Sequence, residues 1–169
     1  MNDFIPSRVD YIFIRYEEDM SSRKTILFSL CREAIQNKVD RLQALIQEAQ
    51  QSANEETKSS AGDKYETGRA MVQLEIEKYA EQLNELQKQS FELEKVCTAP
   101  PQNTIGPAAL VGTSHGAFLI AVNAGEFVLD GKKVYAISTQ APIAQKMIGL
   151  RQGDSFTMNG RAYLITSVE

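Results

Sequence analysis

Apolar residues in the first half of the chain recur at helical spacing. Leu27, Cys31 and Ala34 open a row that continues through Ile35, Val39, Leu42, Ile46, Ala49 and Ala53, stepping four, three, four, three, four from Ile35. A mean step of 3.5 residues is the seam of a coiled coil. The positions between, such as Arg32, Glu33, Gln36, Lys38, Asp40 and Arg41, suit water. After a break the pattern returns. Val72, Ile76, Tyr79, Leu83, Leu86, Ser90 and Leu93 step four, three, four, three, four, three, with Glu75, Glu77, Lys78, Glu81 and Glu85 outside the row. Two stripes of one period, joined by a short break, bury each other best by folding back antiparallel.

The break, Glu55 to Glu66, has a chemical cause. Thr57, Ser59 and Ser60 compete for backbone hydrogen bonds, and Gly62 is costly inside a helix. Ser60 with Asp63, or Asp63 with Glu66, makes a capping signature for a second helix. No proline lies between Pro6 and Pro100. A first arm from Ser22 to Ala53 would be about 48 Å long at 1.5 Å per residue. Ahead of it, Tyr11-Ile12-Phe13-Ile14 is too short and too acidic in its flanks for a signal peptide, and it does not continue the heptads. Residues 1–20 therefore read as a loose extension, with a short edge strand as the alternative, and the hairpin as 21–97.

Pro100 and Pro101 cannot continue a helix, which makes 98–104 a linker. Beyond it charge thins, and β-branched and aromatic residues alternate with turn signals. Ala109–Gly112 and Ala117–Val122 flank a Ser114-His115-Gly116 turn. Asp130-Gly131 and Asn159-Gly160, each between apolar runs, are strong hairpin signals. One helix interrupts the strands: Pro142 stands in its first turn, Gly149 stops it, and Ile143, Met147 and Ile148 form its apolar side. The class is α+β: an antiparallel two-helix hairpin followed by a small antiparallel β module over 105–169 with one helix.

Composition narrows the function. The chain has 169 residues, 43% of them hydrophobic, and a formal net charge of −4, which argues against holding nucleic acid by counterion release alone. Two cysteines, Cys31 and Cys97, make no disulfide framework and no metal-ligand spacing, and fit reduced thiols in the cytoplasm. The sole histidine, His115, sits in a turn. No apolar run approaches the ~20 residues of a membrane span. The sequence offers no Ser/His/Asp set, paired carboxylate or phosphate-cradling loop. No catalytic residue, metal ligand or cofactor is assigned, and the chain reads as a monomer that is not itself an enzyme.

Two stretches carry a family resemblance. Ala141-Pro142-Ile143-Ala144-Gln145-Lys146-Met147-Ile148-Gly149, followed by Gly153-Asp154, is similar to the Ser-Pro-Ile-Ala-x-x-Leu-Ile-Gly and Gly-Asp of the bacterial Gre transcript-cleavage factors. Asp63-Lys64-Tyr65-Glu66-Thr67-Gly68-Arg69-Ala70 resembles the stretch just after that family's hairpin tip. The order of hairpin, linker and FKBP-like C-terminal domain also agrees, over about Ser21 to Glu169. The resemblance implies RNA polymerase as partner, with nucleic acid met only through the elongation complex. It implies docking through Pro142, Ile143, Met147 and Gly149. In the family, the hairpin enters the polymerase secondary channel and acidic tip residues help hold a magnesium ion shared with the polymerase.

The tip departs from the family. Aligned on Tyr65, its Asp-x-x-Glu-Asn falls on Lys58, Ala61 and Gly62. An ammonium has no acceptor and repels magnesium, and alanine offers no ligand. Glu55, Glu56 and Asp63 stand nearby at other spacings. The expectation is a channel-binding elongation factor with altered or absent cleavage stimulation. The alternatives are a peptidyl-prolyl isomerase-like protein, using Phe118, Phe127, Tyr135, Phe156 and Tyr163, and a coiled-coil adaptor, to which the imperfect seam residues Tyr79 and Ser90 point.

Overall fold

The computed structural model describes residues 8–56, 64–100 and 104–169, with side chains from 23 to 54 and from 68 onward within these. Helix α1 runs Arg8–Glu56 and α2 runs Lys64–Cys97. They form a helical hairpin; residues 57–63, on which the expected break falls, lie outside the described residues. Of the loose extension expected over 1–20, residues 1–7 lie outside the described residues, and from Arg8 onward the chain is part of α1. No proline or glycine occurs between Arg8 and Glu56. Propagation adds one hydrogen bond per residue, so a helix without a breaker has no local reason to stop at residue 21.

The chain divides into two compact units, one of Met1–Cys31 with Leu93–Glu169 and the other of Arg32–Glu92. In the Arg32–Glu92 unit each arm of α1 and α2 is long and thin; the 25 residues of α1 from Arg32 to Glu56 span about 37 Å. The seam follows the expected row. Ile35 and Leu42 are buried, and Ala34, Val39, Ile46, Ala49 and Ala53 are half-buried. On α2, Val72, Ile76, Tyr79, Leu83 and Leu86 are half-buried. Ser90 departs from the row. It is exposed, and Gln89 turns inward in its place. A helix of 3.6 residues per turn drifts against a strict 3.5 repeat, so the inward position slips by one residue over several turns. The outer face is stitched by one-turn bonds, Gln36 Nε2 to Asp40 Oδ1 at 2.8 Å and Gln73 Nε2 to Glu77 Oε1 at 3.0 Å.

The other unit is built on a six-stranded sheet. Its strands are β1 (Leu110–Thr113), β2 (Gly116–Ala121), β3 (Gly125–Leu129), β4 (Lys132–Ser138), β5 (Ser155–Met158) and β6 (Arg161–Val168), in the order β3-β4-β2-β1-β6-β5. All neighbours are antiparallel except β2 and β4, which run parallel with Phe118 opposite Tyr135. The two glycine turns form as expected. Asp130 and Gly131 have φ of 52° and 72°, and Asn159 and Gly160 have 51° and 74°. Two successive positive φ values match the twist of the flanking strands, and Asx-Gly tolerates them.

Helix α3 (Pro142–Met147) covers one face of the sheet. Met147 and Ala144 are fully buried there against Val111, Phe118, Ile120 and Ile165. The opposite face carries Leu110, Leu119, Val134 and Ala136, all nearly inaccessible. In the same unit Leu27, Phe28, Cys31 and Leu93 of the basal turns of α1 and α2 are also buried. Arg23 and Lys24, on the turn before Leu27, bond to Glu169 at the end of β6. The sheet is thus buried on both faces, as a central layer requires.

Replacing Leu119, which is 0% exposed, by alanine is expected to cost about 2–5 kcal/mol of unfolding free energy. Val128→Ala, on an exposed edge position of β3, should change it by no more than about 0.5 kcal/mol. Urea unfolding of the two variants, followed by tyrosine fluorescence, checks the contrast.

Candidate functional site

Three places on the molecule carry candidate chemistry: the hairpin turn, the stretch from Ala141 to Asp154, and a cleft on the face of the sheet opposite α3.

At the turn, Glu55 and Glu56 close α1. Lys58, Ala61 and Asp63 lie outside the described residues, and α2 resumes at Lys64. Lys58 and Ala61 are, by residue type, one cation and one methyl group. That donor set does not fit a divalent ion, which takes oxygen ligands. Among the described residues no cluster of three His, Cys, Asp or Glu could hold a metal.

The Ala141–Asp154 stretch folds as a stop-start device, and each of its marked residues has a local task. Pro142 takes the first helical position, where its missing N–H costs nothing. Ala141 is the N-cap, extended at φ −61° and ψ 137°, and it has no side chain to bond the first turn. The C-terminal end is closed by Ile148 N–H donating to the Ala144 carbonyl at 2.9 Å. Gly149 then turns the chain at φ +86°, a conformation strained for any side chain. Its N–H donates to the Ile105 carbonyl, and Ile105 N–H donates to the Leu150 carbonyl, both at 2.8 Å. Gly153 repeats the left-handed turn at φ +92°. Asp154 Oδ2 accepts the Arg151 N–H at 2.8 Å and fixes the loop.

These contacts sort the proposed docking residues. Pro142 and Gly149 are exposed, and Ile143 is half-buried against the core. Met147 is corrected from a contact residue to a core residue: at 0% exposure it has no surface to offer. Ile148, 39% exposed, is the apolar side chain of this segment that reaches the surface, beside Gln145 and Lys146. Helical spacing alone grouped Met147 with Ile148; which of the two faces the sheet depends on the angle at which α3 lies on it.

The cleft on the sheet encloses roughly 500 Å³ and is lined by Arg23, Gly112, Lys132, Tyr135, Ser167 and Glu169, among others. Three of its charged residues, Arg23, Lys133 and Glu169, are paired inside the chain, although Arg23 Nε and Glu169 Oε2 are buried without a hydrogen bond. Arg23 Nη1 lies 3.5 Å from Glu169 Oε1, and Arg23 Nε lies 3.4 Å from Asp130 Oδ2. Lys24 Nζ donates to the Glu169 carbonyl at 3.4 Å. Burial lowers the Lys24 ammonium below the usual lysine range, and Glu169 partly offsets this. Lys133 is held by Glu126 at 2.7 Å. The bond to Lys133 lowers the Glu126 carboxyl below the usual range, and the same pair raises Lys133. Arg23 and Lys24 thereby tie this turn of α1 to the end of β6.

The aromatic residues proposed for an isomerase pocket are occupied in packing. Phe118 is buried with its ring 5.7 Å from that of Tyr135, and Phe156 stacks on Tyr163 at 4.9 Å. Phe127 is half-buried on β3. His115 sits edge-on to Tyr163 at 5.0 Å, with Nε2 3.0 Å from the Ala162 carbonyl, and so stays a turn residue. No helix among the described residues is long and apolar enough to cross a membrane. The chain matches no protein-family model and no curated protein.

Restoring a hydroxyl at the cap, Ala141→Ser, should raise unfolding free energy by about 1 kcal/mol, read as a higher Tm, because an N-cap oxygen can accept a first-turn N–H. A second expectation concerns pH. Glu126 has a depressed folded pKa, so its contribution is present above the ordinary carboxylate range and is lost as pH falls through the depressed value. Carboxyl NMR should find Glu126 titrating below free glutamate, and Lys133→Ala should return it to the ordinary range.

Proposed function

We propose that the chain is an RNA polymerase-binding elongation factor of the Gre type. In this reading the hairpin turn enters the secondary channel, and transcript-cleavage stimulation is altered or absent. The observation that carries the reading is the joint placement of two sequence signals. The helical hairpin breaks once among the described elements, between Glu56 and Lys64, in the stretch that resembles the family's tip. The second stretch folds as a proline-started helix closed by Gly149 and Asp154, leaving Pro142 and Ile148 on the surface. Either feature alone would be an ordinary packing device.

The chemistry of the turn separates binding from cleavage. A carboxylate pair at the family's positions would add oxygen ligands to a magnesium ion; Lys58 and Ala61 add none. The turn of this chain occupies space near a polymerase catalytic centre and alters its electrostatics without supplying ligands. The partner is the polymerase, reached in the cytoplasm, and nucleic acid is met only within the elongation complex. The isomerase reading loses support from the packing of Phe118 and Phe156 into the core.

Immobilised full-length chain is expected to retain core RNA polymerase. On a stalled elongation complex it should not accelerate RNA cleavage, and Glu56→Ala and Asp63→Ala should leave that result unchanged. Failure to retain polymerase would overturn the reading. Strong cleavage abolished by either substitution would overturn the assignment of an inactive turn.

A further inference from the structure

Two helices cannot close their own seam on every side. In the Arg32–Glu92 unit a groove of roughly 610 Å³ opens along one face of the hairpin, with Leu42, Leu45, Tyr79 and Leu86 among its lining residues. Leu45 stands outside the heptad row yet is half-buried beside it. The rim is divided by charge. The α1 side carries Lys38 and Arg41, and the α2 side carries Glu81 and Glu85. No ion pair bridges the two rims among the described residues; the Glu85 carboxylate pairs instead with Lys88 on its own helix at 2.7 Å. That exposed pair is weak and readily exchanged. The α2 rim also continues toward the turn at steps of three and four, through Lys78 to Leu74 and Met71. Leu74 and Met71 are 65% and 67% exposed, an apolar extension of the same face left in water.

We infer that this face binds a second copy of the chain, forming a four-helix bundle in which the acidic α2 rim of each copy lies along the basic α1 rim of the other. Symmetry selects the arrangement. A two-fold axis parallel to the helices keeps each level of the hairpin and exchanges left for right. It therefore sets Glu81 and Glu85 of one copy beside Arg41 and Lys38 of the other, twice over. A two-fold axis across the helices would set basic on basic and acidic on acidic, which costs energy. The favoured contact is isologous and closed, with both turns at the same end. Leu42, Leu45, Tyr79 and Leu86 then lose their remaining water, and Leu74 and Met71 gain an apolar neighbour. The inference departs from the monomer expected of the sequence. It rests on the hairpin alone, not on the polymerase reading, and a hairpin paired in this way must part from its partner before its turn could enter a channel.

Sedimentation equilibrium of the full-length chain under reducing conditions, over about 1–100 µM so as to bracket a micromolar Kd, tests it. The wild-type chain should dimerise. The pair Lys38→Glu with Arg41→Glu, and separately Glu81→Lys with Glu85→Lys, should each weaken self-association at least tenfold. Mixing the two reversed variants should restore a dimer, now a heterodimer, and the fourfold variant should dimerise on its own. Leu74→Glu, at a position exposed in the single chain, should weaken the dimer while leaving helix content by circular dichroism unchanged. A wild-type chain that stays monomeric across the range overturns the inference, including the case in which it binds a different protein. A dimer indifferent to both charge reversals overturns it as well.

Discussion

The structure depends on one repeat: an apolar seam of period 3.5 that α1 and α2 share. Each helix alone is amphipathic and mostly polar, with charged residues on the greater part of its circumference. Neither gains enough from its backbone bonds to hold a fixed position. The seam supplies what the backbone does not, by burying Ile35 and Leu42 and shielding Val72, Ile76, Tyr79, Leu83 and Leu86. Because α1 ends at Glu56 and α2 begins at Lys64, the turn has a fixed place in the chain. Every functional statement about the turn inherits its position from that spacing.

The seam also sets a limit. Two helices enclose only one line of contact, so α2 side chains remain half-buried where a larger bundle would bury them. Tyr79 shows how the chain manages this. Its ring sits on the seam while its hydroxyl reaches back one turn to Glu75 Oε1 at 2.6 Å, a bond that raises the phenol above its usual range. Near the sheet the limit is relieved, and Leu27, Cys31 and Leu93 are wholly buried. The unfilled groove and the exposed Leu74 and Met71 arise from the same geometry.

Much of this was legible in the sequence where the determinant is local. The Asp130-Gly131 and Asn159-Gly160 turns follow from the need for two positive φ values, and α3 begins and ends at Pro142 and Gly149 for reasons confined to those residues. The heptad row of α1 was legible position by position. What escaped was either non-local or cumulative. The parallel pairing of β2 with β4 brings together strands separated by β3, and no short-range pattern encodes it. The exchange of Ser90 for Gln89 comes from a drift that accumulates over turns. The early start of α1 was hidden because periodicity marks only where a helix is buried, whereas the absence of a breaker marks how far it can run. At the candidate site, the exposure of Ile148 and the burial of Met147 depend on how α3 lies on the sheet.

The proposed function requires that the turn itself, and not merely the chain, reach the polymerase interior. A photo-crosslinking amino acid placed at Lys58 in the full-length chain, bound to a stalled elongation complex, tests it most directly. The account predicts crosslinks to the wall of the secondary channel next to the catalytic centre or to the 3′ end of the RNA. Crosslinks confined to the outer surface of the polymerase, or none above those of free chain, would contradict it.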